Sequence, residues 1–151
     1  TSMPEQPPTY DPSPFSLLPG ARRVEKPWGH EVLLSPEDAP YTSKLIHVKA
    51  GHRLSLQLHD AKTETQTLID GRGILVLEGP DGELHDVVME PHVGYSVAIG
   101  QRHRLCAAPD SDAVIFEAST PEVGTTYRLE DDYHRPDETE ERRDEDRRHT
   151  S

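Results

Sequence analysis

From Glu31 to Ser119 the chain alternates short apolar runs with turn residues, at intervals of roughly 8 to 12 residues. Alternation at a period of two is the mark of a strand with one covered face. The pattern predicts strands near 31–35, 41–49, 53–59, 64–70, 73–78, 84–89, 94–98, 103–107 and 113–119. Gly79-Pro80-Asp81-Gly82 predicts a tight hairpin turn. Ile74 to Leu77 is unbroken apolar sequence, which predicts a strand covered on both faces. No run in this region has a useful helical period, and no internal repeat is present. The expectation is an all-β antiparallel sandwich or barrel over residues 21–136.

The ends break the pattern. Residues 1–20 hold six of the fourteen prolines and no Lys or Arg. That segment predicts an extended or disordered arm, with Phe15, Leu17 and Leu18 as its anchors. Residues 137–151 are dominated by charge. Glu138–Arg142 and Asp144–Arg148 at i,i+4 would support a solvated helix, so this segment reads as a polar tail or a linker. Thr1-Ser2 before Met3 looks like a cloning remnant.

Within the strands, two segments carry polar residues suited to a metal. Gly51 is followed after five residues by Gln57, then by His59, by Glu64 after four more and by Gly71 after six. The second segment is Gly100-Gln101-Arg102-His103. Strand parity puts Arg53, Ser55, Gln57 and His59 on one face and Leu54, Leu56 and Leu58 on the other. A short turn after His59 brings Glu64 back beside it. Two imidazoles, a carboxylate and an amide oxygen suit a divalent first-row metal. His30, His47, His52, His85, His92, His134 and His149 fit no ligand position and read as surface or packing residues.

These two segments resemble the motifs of the cupin superfamily. The usual first motif has His-x-His where this chain has Gln57-x-His59. The usual second motif has a Pro where Ala98 stands and an Asn where Ala107 stands. Leu-Ser-Leu-Gln-x-His is the variant of the phosphomannose-isomerase-like cupins. The resemblance extends over roughly residues 25–135, through Lys26-Pro27-Trp28-Gly29, Tyr41, Lys44, His103-Arg104-Leu105 and Leu129-Glu130-Asp131-Asp132-Tyr133. It implies a double-stranded β-helix, a jelly-roll-like antiparallel barrel, with Gln57, His59, Glu64 and His103 as metal ligands. Zinc is the expected ion, with nickel, cobalt, manganese or iron as other occupants.

The resemblance implies a metal-dependent enzyme. Its reaction would be a redox-neutral isomerisation or rearrangement of a small polar substrate. One alternative is the cupin component of a hydrazine synthetase. Such a cupin forms an N–N bond from an amino-acid ester made by a methionyl-tRNA-synthetase-like partner. Another is a metal- or sugar-binding cupin without catalysis. The chain departs from the isomerase pattern at Lys62, where Arg is usual, and at Thr65 and Glu117–Glu122.

Charge and composition narrow the partners. Net charge is −12, and residues 21–136 alone carry 19 acids against 12 bases, or −7. Such a body repels nucleic-acid phosphates and anionic lipid, so neither is an expected partner. An anionic substrate needs a local basic patch. Parity turns Arg53 toward the cavity, and Lys44, on the preceding strand, matches a lysine of the family the motifs resemble. Both are expected to bind substrate carboxylate or phosphate or to assist proton transfer, while Arg104 turns away from His103 as a salt-bridge or interface residue. The three leucines opposite Gln57 and His59 need covering, which favours a homodimer. Cys106 is the one cysteine and reads as a small packing residue. No basic-then-apolar start and no span of ~18 apolar residues is present, so the expected location is the cytoplasm.

Overall fold

The computed structural model describes residues 6–148; Thr1-Ser2 and His149 lie outside them. Eleven strands precede one helix. They are β1 (Arg22–Lys26), β2 (Gly29–Leu33), β3 (Thr42–Val48), β4 (Leu56–His59), β5 (Glu64–Gly71), β6 (Gly73–Glu78), β7 (Leu84–Val88), β8 (Gly94–Val97), β9 (His103–Ala107), β10 (Ala113–Ser119) and β11 (Thr126–Glu130), followed by α1 (Glu140–Arg148). Two antiparallel sheets face each other, in the orders β1-β2-β3-β10-β5-β8 and β11-β4-β9-β6-β7. From β3 on, every connection except the β6–β7 hairpin crosses between the sheets, as in a jelly roll. This is the cupin β-barrel that the sequence implies. The chain also forms β1 and β11, which lie outside the predicted strands.

Inward positions run in step across three neighbouring strands. Lys44, Ile46 and Val48 on β3 pair with Glu117, Ile115 and Ala113 on β10. On the other side, Glu117 and Ile115 pair with Gln66 and Leu68 of β5. One half of the interior is therefore apolar. Trp28, Ile46, Val48, Leu68, Leu75, Met89, Leu105, Ala107, Ala113 and Ile115 form one cluster there. The other half collects Glu31, Lys44, His59, Lys62, Glu64, Gln66, His103, Glu117 and Thr126, all buried. The apolar half holds the sheets together, and the polar half is where chemistry can be housed.

Gly71 ends β5 at φ 77°, and a Cβ there would lie 1.8 Å from the Asp112 carbonyl oxygen. Only glycine fits so close a backbone approach. Leu75 is fully buried while Ile74, Val76 and Leu77 are half-buried, so β6 is covered mainly on one face. Residues 6–20 form neither helix nor strand. Phe15 meets Tyr41 edge-on at 6.3 Å, whereas Leu17 and Leu18 remain exposed.

The charged C-terminal segment is not solvated all round. Backbone bonds of 2.9 Å in both directions between Thr126 and Glu138 clamp it to β11. Thr139 Oγ1 accepts from the Arg142 amide at 3.3 Å and caps α1. Acidic residues occupy the first turn and basic ones the last, in line with the helix dipole. Arg143 is only 6% exposed. Its Nε donates to Glu138 Oε1 at 3.0 Å and its Nη1 to the Glu122 carbonyl at 3.0 Å. Arg147 pairs with Glu122. The helix thus closes the polar end of the barrel.

Candidate metal centre and its cavity

His59 ends β4, Glu64 starts β5 and His103 starts β9. One ligand atom from each falls in a group with all separations within 4.8 Å. All three residues are buried. The rings are oriented from behind. His103 Nδ1 lies 2.9 Å from the Gln101 carbonyl, which can only accept, so this nitrogen carries the proton. Nε2 is then a bare lone pair turned inward. His59 Nδ1 is held by Thr126 Oγ1 at 2.8 Å. Glu64 Oε1 lies 3.0 Å from His103 Nε2 and 3.5 Å from His59 Nε2, yet neither Nε2 makes a hydrogen bond. Two buried, unpartnered imidazole nitrogens converging on a carboxylate are the donor set of a divalent ion.

Gln57 pairs with His103 across β4 and β9 and lines the adjoining cavity. Its Oε1 accepts from Ser55 Oγ at 2.7 Å and keeps a second lone pair. The four residues named from the motif thus collect at the polar end of the barrel.

Electrostatics favours an ionised carboxylate. Burial opposes charge on Glu64, but Lys62 and the two imidazoles hold it well below the usual carboxylate range. Burial keeps His59 below its ordinary value, so the ring is neutral and able to ligate. Lys62 Nζ sits 3.2 Å from Glu64 and 3.2 Å from Glu117. Gln66 Nε2 donates to Glu64 Oε1 at 3.3 Å and to Glu117 Oε1 at 3.2 Å. Burial, then the nearby Glu64, pushes Glu117 up to about 7.

The cavity beside this group is about 60 Å³, and Trp28, Leu54, Gln57, His59, Lys62 and Arg128 help to line it. Arg143 and Arg147 reach its wall from α1. A water needs roughly 10–15 Å³ of such space, so the cavity suits a few waters or one small polar group.

Lys44 and Arg53 fare differently from the ligands. Lys44 lines the cavity, but its ammonium already lies 2.8 Å from Glu31, 2.6 Å from Glu122 and 3.6 Å from Glu117. Burial opposes that charge and the three carboxylates outweigh it, raising the pKa well above normal. Arg53 does not reach the cavity. Its Nε and Nη2 fork onto Asp132 at 2.8 Å each, at the surface. Arg53 escapes the strand parity because regular strand starts only at Leu56, beyond the irregular Leu54 and Ser55. Leu54 consequently turns inward against the core. Leu56 is covered within the chain at 5% exposure, and Leu54 and Leu58 are half-buried. Arg104 is buried, donating to the Leu54 and Glu130 carbonyls, and ties β9 to its neighbours.

Sequence reading missed Lys62, Gln66, Glu117, Glu122, Thr126, Arg128 and Arg143. For Glu117 a signal existed: it continues the inward register of Ala113 and Ile115. Arg128 and Thr126 lie on the strand that was not foreseen, and Arg143 lies in what read as a tail.

No family model and no curated protein matches the sequence. Solved structures do match the fold. A capsular polysaccharide assembling protein, CapF from Staphylococcus aureus, superposes with a TM-score of 0.61 at 12% identity, over 82% of this chain and 32% of that one. An oxalate decarboxylase from Bacillus subtilis with Mn(II) centres gives 0.61 at 18% identity, over 72% and 30%. The chain spans about a third of the length of either. At such identities the likeness is one of fold. No helix among the described residues is long and apolar enough to cross a membrane.

Proposed function

We propose that this chain is a metal-dependent cupin enzyme catalysing a redox-neutral isomerisation or rearrangement of a small polar substrate. The observation that carries the reading is the pair of buried, unpartnered Nε2 atoms of His59 and His103 facing Glu64 beside a charged cavity. A bound divalent ion, with zinc the expected one, would supply Lewis acidity toward a substrate oxygen. His59, Glu64 and His103 would hold it, with the Gln57 amide oxygen as a fourth donor. Glu117 and Lys62, 3.2 Å apart, are the groups placed to take and return a proton. Arg143 and Arg147 of α1 and the buried Trp28 line the cavity.

The reading is tested by metal content and then by turnover. Purified chain should carry about one divalent ion. His59→Ala and His103→Ala should each lower occupancy and Tm, because an ion bound only by the folded state stabilises it. Conversion of mannose 6-phosphate would support the isomerase branch. Conversion of an ester of an N-hydroxylated amino acid into a hydrazine would support the N–N bond-forming branch. Full occupancy in the double His variant would sink the metal assignment. Metal binding without either turnover would favour the non-catalytic cupin.

A further inference from the structure

Among the described residues, five buried side-chain polar atoms make no hydrogen bond: His59 Nε2, His103 Nε2, Glu64 Oε2, Gln66 Oε1 and Arg128 Nε. The first three belong to the metal group, and Glu64 Oε2 also has Lys62 Nζ at 3.2 Å. The last two are a donor and an acceptor, and both residues line the same cavity.

Arg128 stands opposite Gln57 in the β4–β11 register, one strand from the proposed fourth ligand. Its side chain is only 9% exposed. Nη1 donates to the Pro136 carbonyl at 2.7 Å and Nη2 to Glu138 Oε2 at 3.2 Å, which fixes the guanidinium and leaves Nε–H without an acceptor. The contrast with other arginines here is informative. Arg53 and Arg135 set both Nε and Nη2 on an aspartate. Arg104 and Arg143 also use Nε. Arg128 alone of these keeps that edge unused, in a place water reaches poorly. Such an edge matches one oxygen of a carboxylate or phosphate.

Gln66 supplies the opposite polarity. Its Nε2 points at two carboxylates, so the amide cannot be flipped without setting oxygen against oxygen. Oε1 is therefore a true acceptor, buried and waiting for an N–H or O–H.

We propose that Arg128 Nε and Gln66 Oε1 form a ligand subsite beside the metal group, taking a small oxyanion that also carries a hydroxyl or amine, such as a hydroxy- or amino-carboxylate. The proposal rests on the reading of the cavity as the substrate site. It replaces Arg53 with Arg128 as the anion-binding residue.

The test is calorimetric titration of the zinc-reconstituted chain with acetate, glycolate and ethylene glycol, with metal content measured on each sample. Glycolate should bind several-fold more tightly than acetate, and ethylene glycol should not bind. Arg128→Gln should weaken both anions roughly 10- to 100-fold with zinc content unchanged. Gln66→Met should erase the preference for glycolate. Where Arg128→Gln does not fold, Arg128→Lys decides: it keeps the charge beside Glu138 but has no Nε–H, so acetate should still weaken at least about five-fold. Wild-type affinity in either Arg128 variant, or no anion binding by zinc-loaded wild type, overturns the subsite. Failure to take up zinc while acetate binding still depends on Arg128 would overturn the metal reading and leave the subsite standing.

Discussion

Arg143→Ala should undock the C-terminal helix without unfolding the barrel. Arg143 makes three bonds that no other helix residue duplicates: to Glu138 Oε1 at 3.0 Å, to the Glu122 carbonyl at 3.0 Å and to the Gly124 carbonyl at 3.3 Å. Hydrogen bonds from a charged donor are worth roughly 1.5–3 kcal/mol each, but they are not additive and the freed carbonyls regain water. Glu138 is not stranded, because Arg128 at 3.2 Å and Lys26 at 3.7 Å remain beside it. A net loss of about 2–4 kcal/mol is therefore the expectation. Nine residues of helix are marginal on their own in water, so an undocked α1 melts. Hydrogen exchange followed by mass spectrometry reads this directly. Amides of 140–148 should exchange roughly 30- to 700-fold faster, at about 1.4 kcal/mol per decade, while those of β3, β5 and β10 stay protected. Unchanged protection across 140–148 would refute the reasoning and mean that the helix is held by something other than Arg143.

Other expectations follow from the same contacts. Thr126→Val removes the anchor on His59 Nδ1 and should weaken metal affinity roughly 10- to 100-fold in competition with a chromogenic chelator, whereas Thr126→Ser should keep it. Gln57→His should retain metal and Gln57→Leu should lose affinity; if both match wild type in the same assay, the amide is not a ligand. Burial opposes charge on Glu138, but Lys26, Arg143 and Arg128 hold its pKa at about 2. Its stabilising contribution is therefore complete above the usual 4.5 and lost as pH falls through about 2. Exchange protection of α1 should decline over that window, and Glu138→Gln should flatten the decline. Lys44→Met leaves Glu31, Glu117 and Glu122 short of a cation and should cost about 3–5 kcal/mol by urea unfolding, with Glu31→Gln in the same chain restoring part of it. If Lys44→Met keeps full stability, Lys44 is not structural and its earlier assignment to substrate regains ground.

What the sequence could and could not convey has a physical cause. Where a strand is regular, parity places residues correctly: Glu64, Gln66 and Leu68 all face inward, as do His103 and Leu105. The grouping of His59, Glu64 and His103 was legible because these residues sit at strand ends with motif spacing. Arg53 was misplaced because it lies outside regular strand, separated from β4 by the irregular Leu54 and Ser55. Parity carries no information across a break in the ladder. The cavity's charged wall was hidden for a different reason. Lys62, Glu122, Arg128 and Arg143 are remote in sequence and meet only once the barrel closes. Each alone looks like an ordinary surface residue.

The proposed anion subsite is compatible with an acidic chain for a reason that lies in the barrel's interior. The acids and bases of the body are not evenly spread. Lys26, Lys44, Lys62, Arg128, Arg143 and Arg147 all border one cavity, where they meet Glu31, Glu117, Glu122 and Glu138. Taking so many charges from water is costly unless nearly every one is paired, and nearly every one is. Such a network fixes each group in position before any ligand arrives, which is what a reaction needing little reorganisation requires. The same network leaves few free donors or acceptors. Those left over include two imidazole nitrogens, one amide oxygen and one guanidinium N–H, the atoms on which the proposed metal and anion sites rest. A cavity of about 60 Å³ with Arg143 and Arg147 of α1 in its wall also limits how large the proposed anion can be unless the helix moves. The affinity of the helix for the barrel mouth and the size of the accepted ligand should therefore change together.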